Sequence, residues 1–364
     1  MKKLLLIPAL IILAVPALWA EKTVAELNPD FVELMVQALR PKNEGAVFGY
    51  RNEVQPLSLF WFTDIHGDAE EFGRLIDFYN GYEKYFDGMI CTGDLVCDSA
   101  EGSDFTYWSK TPGHEKVMSV IGNHDVLRNH NDDANKNRKD ALSMAESYAR
   151  YFAPFIDKWG AVYESGKTYY YRDYDAKNVR LIVLDTMLWS RREPKAAASQ
   201  LAWFKKTLAG AKEKDLSVLV AAHFTLNKTE KIPCNFTVTT YLGDYEDGDC
   251  DAILKAVDDF MKSGGKFVCY IAGHTHNDFI LRSKTYPKQL EIVSDAACDW
   301  QSDAYSESAR VPGTRSRDLA NAFVVDTSRH LVKLIRIGAN RDSFMRSKNG
   351  ITLDYVTQEI ISQY

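Results

Sequence analysis

The chain has 364 residues, which is too long for one small module and allows either one large domain or two ordinary domains. Hydrophobic residues make up 46% of the sequence and charged residues 26%, so the chain can form a sizeable core and wholesale disorder is excluded. The net charge of −6 argues against general nucleic-acid binding and against broad adhesion to anionic membrane surfaces.

The first predicted element is a secretion signal peptide over residues 1–20. Two lysines precede an apolar run from Leu4 to Val15, and small residues follow at Ala17 and Ala20. The run is short for a membrane span, although an uncleaved anchor stays open as an alternative. We therefore expect a secreted or periplasmic protein, bacterial to judge from its short lysine start, with no transmembrane segment after signal removal.

Short apolar runs bounded by turn residues then recur along the chain and predict buried strands. Helical patterns lie between some of them, and strands that alternate with helices indicate an α/β layered fold. The predicted helices cover residues 70–79, 199–214 and 251–262. The predicted strands cover residues 57–63, 88–92, 117–121, 168–174, 179–185, 216–222, 267–272, 290–293, 322–325 and 331–337.

Two stretches, residues 96–116 and 126–165, look like insertions between core elements. Together with residues 227–250 they are expected to set specificity. The first insertion carries Phe105, Tyr107 and Trp108, which could stack on a base or sugar, with local packing as the alternative.

The cysteines do not form the closely spaced pairs of a structural zinc site. Cys234 and Cys250 flank a polar loop and are the best candidates for a disulfide, which export would permit. Cys91 and Cys269 sit in apolar runs and are as easily buried free thiols.

Five of the apolar runs end in polar clusters, and α/β folds place ligand groups just past the carboxyl ends of strands. Each cluster alone is a weak signal, because Asp-x-His motifs and buried histidines are common, but all five occur in order. Their carboxylates, imidazoles and amide suit zinc, manganese or iron. The candidate metal ligands are Asp64, His66, Asp94, Asn123, His223, His274 and His276.

Seven ligands are too many for one tetrahedral ion and suit two ions that share a bridging carboxylate. Two metals about 3.5–4 Å apart can clamp the attacking and leaving oxygens of an in-line displacement, and a water between them would ionise near neutral pH to become the nucleophile. Two divalent ions outweigh the charges of Asp64, Asp94 and one hydroxide, so the site stays positive and favours phosphate oxygens.

The whole series resembles the motifs of the calcineurin-like metallophosphoesterases: Asp64-x-His66, Gly93-Asp94, Gly122-Asn123-His124-Asp125, His223 and Gly273-His274-Thr275-His276. The resemblance covers roughly residues 57–340. It implies a four-layer α-β-β-α sandwich with two mixed β-sheets and a dinuclear metal centre. Residues 21–56 would then be an N-terminal flanking segment and residues 341–364 a C-terminal extension.

The resemblance also implies roles for single residues. One metal would be held by Asp64, His66, Asp94 and His276, and the other by Asp94, Asn123, His223 and His274, with Asp94 bridging. His124 would protonate the leaving oxygen as general acid. Asp125 would orient His124, with a helix or turn cap as the alternative. The family often has an acid three residues after the bridging aspartate, where this chain has Cys97.

These features predict a secreted, metal-dependent phosphoesterase that attacks phosphorus directly with water activated by two manganese, zinc or iron ions. The motifs hold no serine or cysteine nucleophile, so no covalent intermediate is required. The substrate would be a small phosphomonoester, nucleotide or phosphodiester, with a preference for the first two. The alternatives are a non-catalytic, metal-stabilised binding protein for a phosphorylated ligand and a hydrolase of non-phosphate esters or amides. The sequence does not indicate an oligomeric state.

Overall fold

The computed structural model describes residues 21–39, 54–97, 108–126, 142–190, 193–228, 250–298, 310–339 and 349–363. Within these residues, fourteen strands form two seven-stranded mixed sheets. The first sheet has the order β14-β13-β12-β11-β1-β2-β3, and the second β4-β5-β6-β7-β8-β10-β9. The strands are β1 (Leu57–Phe62), β2 (Gly88–Cys91), β3 (Val117–Ser119), β4 (Val162–Tyr163), β5 (Tyr170–Tyr174), β6 (Val179–Val183), β7 (Ser217–Ala221), β8 (Lys266–Ala272), β9 (Phe279–Arg282), β10 (Leu290–Val293), β11 (Leu319–Asp326), β12 (Leu331–Gly338), β13 (Gly350–Asp354) and β14 (Ile360–Gln363).

Each sheet contains a parallel core. β1, β2 and β3 run parallel to one another, and so do β6, β7, β8 and β10. β1 is buried along its whole length, as expected for a strand covered on both faces. The carboxyl ends of these parallel strands therefore carry their polar clusters to one end of each sheet.

Helices cover the outer faces of the two sheets, which gives the predicted four-layer sandwich. On the first sheet, Phe78 of the helix Ala69–Tyr82 stacks on Phe60 of β1 with ring centres 5.8 Å apart. On the second, the long helices contact β7 and β8. The described α-helices are Val24–Leu27, Phe31–Leu39, Ala69–Tyr82, Asn123–Val126, Met144–Ser147, Met187–Ser190, Pro194–Glu213 and Cys250–Lys262.

Shorter helical turns connect these elements. The described 3-10 turns are Glu83–Tyr85, His114–Lys116, Ile156–Trp159, Asp175–Lys177 and Arg315–Arg317, and a π-helical turn covers Tyr148–Phe152. Within the described ranges, no helix combines the length and apolar character that a membrane crossing requires.

All ten predicted strands and all three predicted helices are present, with boundaries within a few residues. The segments expected to flank the core are part of it. The C-terminal residues add β13 and β14 to the first sheet. Ile351 and Leu353 of β13 are buried, so this strand contributes to the core. The N-terminal helix Phe31–Leu39 packs against β11 and β12.

Trp108 is fully buried and packs against Tyr151 and Phe155, so it is a core residue rather than a stacking surface. Phe105 and Tyr107 lie outside the described residues. Cys91 and Cys269 are buried free thiols. Cys234, the proposed disulfide partner of Cys250, lies outside the described residues, so that pairing stays a prediction.

Candidate metal centre

The five polar clusters meet at one place in the fold. Three follow β1, β2 and β3 of the first sheet, and two follow β7 and β8 of the second. A hydrogen bond joins the two sets, since the backbone amide of His274 donates to Oδ2 of Asp64 at 3.0 Å. The structure thus brings together every candidate ligand that the sequence indicated.

The backbone is held in an unusual conformation at this place. Asp64, His66, Asp94, His274 and His276 all have positive φ angles, between 46° and 69°. A residue other than glycine in this left-handed region costs on the order of 1–3 kcal/mol, which persists only where the surrounding structure enforces it. Five such residues in one cluster indicate that the loops are shaped for a function.

One group of ligand atoms consists of Asp64, His66 and His276. Oδ1 of Asp64 lies 3.4 Å from Nε2 of His276 and 3.6 Å from Nε2 of His66, and the two nitrogens are 3.1 Å apart. This buried carboxylate oxygen has no hydrogen-bond partner among the described residues. A buried acceptor and two imidazole nitrogens that converge in this way fit a metal cation.

A second group consists of Asp94, His223 and His274. Nδ1 of His223 lies 2.8 Å from the carbonyl oxygen of Thr92, to which it donates, so the lone pair of a neutral ring would be on Nε2. That nitrogen faces two acceptors, Oδ1 of Asn123 at 3.0 Å and Oδ2 of Asp94 at 3.2 Å. Three electron-pair donors around one point also fit a cation.

The two groups are joined by Asp94. Its Oδ2 lies 3.2 Å from Nε2 of His223 and 3.7 Å from Nε2 of His66, so it faces both sets of imidazoles. This is the position that a bridging carboxylate would take. The residues present therefore fit two metal ions that share one ligand.

The electrostatics of the centre follow from its burial. Burial and the charge of His124 lower the pKa of His66 to about 4, and burial lowers the pKa of His274 well below its usual value. These rings are neutral near pH 7, with lone pairs available to a metal. Burial alone would raise the pKa of Asp64, but attraction to the neighbouring rings of His276 and His66 holds it well below the usual range.

His223 shows the opposite shift. Burial would lower its pKa, but the carboxylate of Asp94 overcomes that effect and raises the pKa to about 9. The same attraction holds the pKa of Asp94 below its usual value, against burial. The surroundings of Nε2 thus favour a positive charge, which is a further sign that the site suits a cation.

Glycines in the loops allow the loops that carry the candidate ligands to pack closely against one another. A Cβ atom on Gly122 would collide with the carboxylate and the backbone nitrogen of Asp94. Gly93 has a φ of 108°, and a Cβ there would enter the ring of His223. Both positions require glycine for close packing of loops that come from different strands.

His124 lies at the side of the centre. Its ring centre is 4.6 Å from that of His66, and the side chain is partly exposed. Nδ1 donates to the carbonyl oxygen of Cys97 at 2.8 Å, and the backbone amide donates to Oδ1 of Asp94 at 2.8 Å. Nε2 is therefore the nitrogen that a substrate could use.

The carboxylate of Asp125 binds the backbone of the loops around His124, and its predicted role in orienting that ring stays a prediction. Its carboxylate accepts hydrogen bonds from the backbone amides of Asp94, Gly122 and Val96, at 2.9, 2.9 and 3.2 Å. Burial and the nearby Asp94 raise its pKa to about 7. Asp125 thus fixes the two loops that carry Asp94 and His124, and the carbonyl oxygen of Cys97 accepts from the ring of His124.

Two further contributions were not found from the sequence. The carbonyl of Thr92 and the carbonyl of Cys97 each fix an imidazole, and backbone groups leave no signal in a side-chain pattern.

Asp68 caps the helix Ala69–Tyr82, with its side chain accepting from the amide of Glu71 at 2.9 Å. An aspartate followed by an acidic first turn is a helix-start signal that the sequence does show.

A family profile agrees with this geometry. The profile of the Metallophos family, described as calcineurin-like phosphoesterase, matches residues 57–278. The chain belongs to the calcineurin-like phosphoesterase family. The resemblance drawn from the motifs is confirmed, and this phosphoesterase has the donor set of a metal-dependent hydrolase.

Solved structures match this phosphoesterase at low sequence identity. A dimetal phosphatase from Danio rerio is 12% identical, with a TM-score of 0.50, and covers 85% of this chain and 100% of its own. The E. coli phosphoesterase Yfce is 10% identical over 85% of this chain and 98% of its own, with a TM-score of 0.30. GAP50 of Plasmodium, described as the anchor in the inner membrane complex, is 14% identical over 85% and 88%, with a TM-score of 0.39. A search of curated proteins returned no significant match.

Proposed function

We propose that this phosphoesterase hydrolyses small phosphate esters at a dinuclear metal centre, with water as the nucleophile. The observation that carries the proposal is the position of Asp94, whose Oδ2 faces Nε2 of both His66 and His223. A carboxylate that lies between two groups of imidazoles is what two adjacent cations require.

Bound cations would supply Lewis acidity and lower the pKa of water near the phosphorus. The chain itself holds and orients them. Asp64, His66 and His276 would bind one cation, Asn123, His223 and His274 the other, and Asp94 both. The hydrogen bond from Nδ1 of His223 to Thr92 fixes the ring so that Nε2 points to the centre, as second-sphere partners of metal-bound histidines commonly do.

His124 is proposed as the general acid. The carbonyl of Cys97 accepts from Nδ1, which fixes the ring and leaves Nε2 as the nitrogen that would carry the proton to the leaving oxygen. Departure of an alkoxide from phosphorus requires a proton, and a positioned imidazolium contributes typically about 10²–10⁴-fold in rate. The T-shaped contact of its ring with that of His66, at 4.6 Å between ring centres, supports this role.

The proposed substrates are phosphomonoesters or nucleotides, with phosphodiesters as a further class that the same residues could serve. Two cations make the centre positive within an acidic chain, which favours anionic substrates. The competing function is binding of a phosphorylated ligand without turnover. Because no candidate ligand of either group is displaced from the centre, we favour catalysis.

The test is hydrolysis by the purified protein without residues 1–20, stripped of metal and reloaded with manganese, zinc or iron. p-Nitrophenyl phosphate and bis-p-nitrophenyl phosphate are offered in parallel. His124→Ala should lower kcat about 10²–10⁴-fold while both ions stay bound. His330→Asn is the matched control, because this exposed histidine in a left-handed turn lies outside the ligand groups and asparagine tolerates that backbone.

Metal-dependent turnover that His124→Ala abolishes supports hydrolysis, and the preferred ester selects the substrate class. Two tightly bound ions without turnover of any ester would instead support the binding function. Equal rates in His124→Ala and the parent protein would remove the acid role from His124.

Export is proposed separately, from the signal-like residues 1–20. Expression of the full chain in a bacterial host with periplasmic fractionation tests it. Mass spectrometry should find a mature N-terminus after Ala17 or Ala20. A cytoplasmic protein that keeps residues 1–20 would reject export and leave the proposed chemistry unaffected.

A further inference from the structure

Cys97 lies beside the metal centre. Its sulfur and one ring nitrogen each from His66 and His124 all lie within 4.8 Å of one another. Among the described residues this is the third group that could hold a metal ion, and it shares His66 with the first. Cys97 is partly exposed, whereas Cys91 and Cys269 are fully buried in strands.

The position of Cys97 is fixed by residues of the centre itself. Its carbonyl oxygen accepts from Nδ1 of His124 at 2.8 Å, and the amide of the preceding Val96 donates to Asp125 at 3.2 Å. Cys97 follows the bridging Asp94 by three residues, so the same turn carries both. The sulfur is thus held next to the histidines rather than on an independent loop.

A second observation points to a cation at His66. Nε2 of His66 lies 3.6 Å from Oδ1 of Asp64, a fully buried oxygen without a hydrogen-bond partner among the described residues. A cation on His66 would satisfy that oxygen. His66 therefore belongs to two groups of ligand atoms, one with Asp64 and His276 and one with Cys97 and His124.

We propose that Cys97 supplies a sulfur ligand to the cation held by His66. This inference rests on the proposed metal centre. Sulfur is a soft ligand and favours zinc or cobalt over manganese or magnesium, which prefer oxygen. The other position, formed by Asp94, Asn123, His223 and His274, has no sulfur within its group. The two positions of the centre consequently differ in metal preference, with the thiophilic ion on the His66 side.

The test uses Co²⁺ as the probe. Metal-free protein without residues 1–20 is titrated with Co²⁺ under anaerobic conditions while its near-ultraviolet absorption is recorded. Coordination by Cys97 should give a sulfur-to-cobalt charge-transfer band that reaches its full intensity with one bound ion. Cys97→Ala should lose this band and bind that ion at least about tenfold more weakly. Cys269→Ala is the matched control, because that thiol is buried in β8, and it should keep the band.

Alkylation gives a second readout that does not depend on the variant folding well. Iodoacetamide followed by mass spectrometry should modify Cys97 in the metal-free protein, and Zn²⁺ or Co²⁺ should protect it while Mg²⁺ does not. Two bound Co²⁺ ions without a charge-transfer band, together with equal labelling of Cys97 in the presence and absence of Zn²⁺, would overturn the proposal.

The outcome is separable from that of the proposed function. Ester hydrolysis by the parent protein with Mn²⁺ is measured alongside. Turnover without a sulfur band rejects only the ligand role of Cys97. A sulfur band without turnover supports that role and counts only against hydrolysis.

Discussion

Nε2 of His223 lies 3.2 Å from Oδ2 of Asp94, although the two residues follow strands of different sheets. Asp94 comes after β2 of the first sheet and His223 after β7 of the second. The centre is therefore built across the interface of the sheets, and each of its two groups takes ligands from both.

Replacement of the bridging carboxylate should have the largest effect on metal content. In Asp94→Asn the charge between the two groups is lost, so we expect both ions to dissociate and hydrolysis to fall below detection. Asp64→Asn should reduce chiefly the ion on the His66 side, because Oδ1 of Asp64 faces the ring nitrogens of His66 and His276. Elemental analysis after dialysis measures both. Retention of two ions in Asp94→Asn would contradict a bridging role.

Asp125→Asn should destabilise the protein. The carboxylate accepts from the backbone amides of Asp94, Gly122 and Val96, and an asparagine amide would turn a donor toward some of them. A buried donor left without an acceptor costs about 1–3 kcal/mol. Urea unfolding of the metal-free protein measures this loss. A variant of unchanged stability but altered pH–rate profile would favour direct orientation of His124 instead.

The packing of the loops predicts intolerance of any side chain at Gly122. Gly122→Ala should displace Asp94, weaken metal binding and lower hydrolysis, because the added methyl group collides with the Asp94 carboxylate and backbone. Gly73→Ala is the control, since a Cβ there meets no atom within 4 Å and the residue lies in the helix Ala69–Tyr82. That change should stabilise the fold by roughly 0.5–1 kcal/mol. The unfolding midpoints and the metal contents of both variants test this prediction. A fully active Gly122→Ala protein would show that the loops tolerate a side chain at this position.

Glu291 of β10 should make stability depend on pH. Burial raises its pKa from 4.5 to about 7, against hydrogen bonds from Leu226 and Asn227 that lower it. Between these two values the folded protein keeps a proton that the unfolded chain has released. The contribution of protonated Glu291 to the free energy of unfolding is therefore complete below pH 4.5 and is lost as pH rises through about 7. The shift corresponds to about 3 kcal/mol.

Glu291→Gln removes that titration. Its free energy of unfolding should fall less than that of the parent protein between roughly pH 5 and pH 8. Urea unfolding of the metal-free proteins at both pH values measures the difference, and the exposed Glu164→Gln serves as control. Parallel pH dependence in parent and Glu291→Gln would show that the group does not titrate in this range.

Much of this fold could be predicted because the strands that lead into the site are mostly apolar and end abruptly in polar residues. β1, covered on both faces, reads as a continuous hydrophobic run. β14 could not be found in this way, since Ile360–Gln363 is exposed along its length and its pairing with β13 depends on backbone hydrogen bonds. The first helix did carry a signal, because Thr23 and Glu26 form a capping box.

The candidate ligands could be found from the sequence because each is a side chain that follows a predicted strand. The partners of those side chains could not. Asp125 binds amides of two loops that are distant in sequence, and His124 binds the carbonyl of Cys97, so both contacts exist only once the strands are aligned. The sequence shows a cysteine at position 97, but only the structure shows that its sulfur lies near ring nitrogens of His66 and His124.

Metal ions bound to ligands from both sheets would also hold the two sheets together. An ion that binds the folded chain and not the unfolded one raises the free energy of unfolding by RT ln(1 + [L]/Kd), about 2.7 kcal/mol at a hundredfold excess over Kd. The supply of metal would then set the lifetime of the protein as well as its activity. Chains that mature in a metal-poor environment would be removed by proteases sooner, so their abundance would report on metal supply.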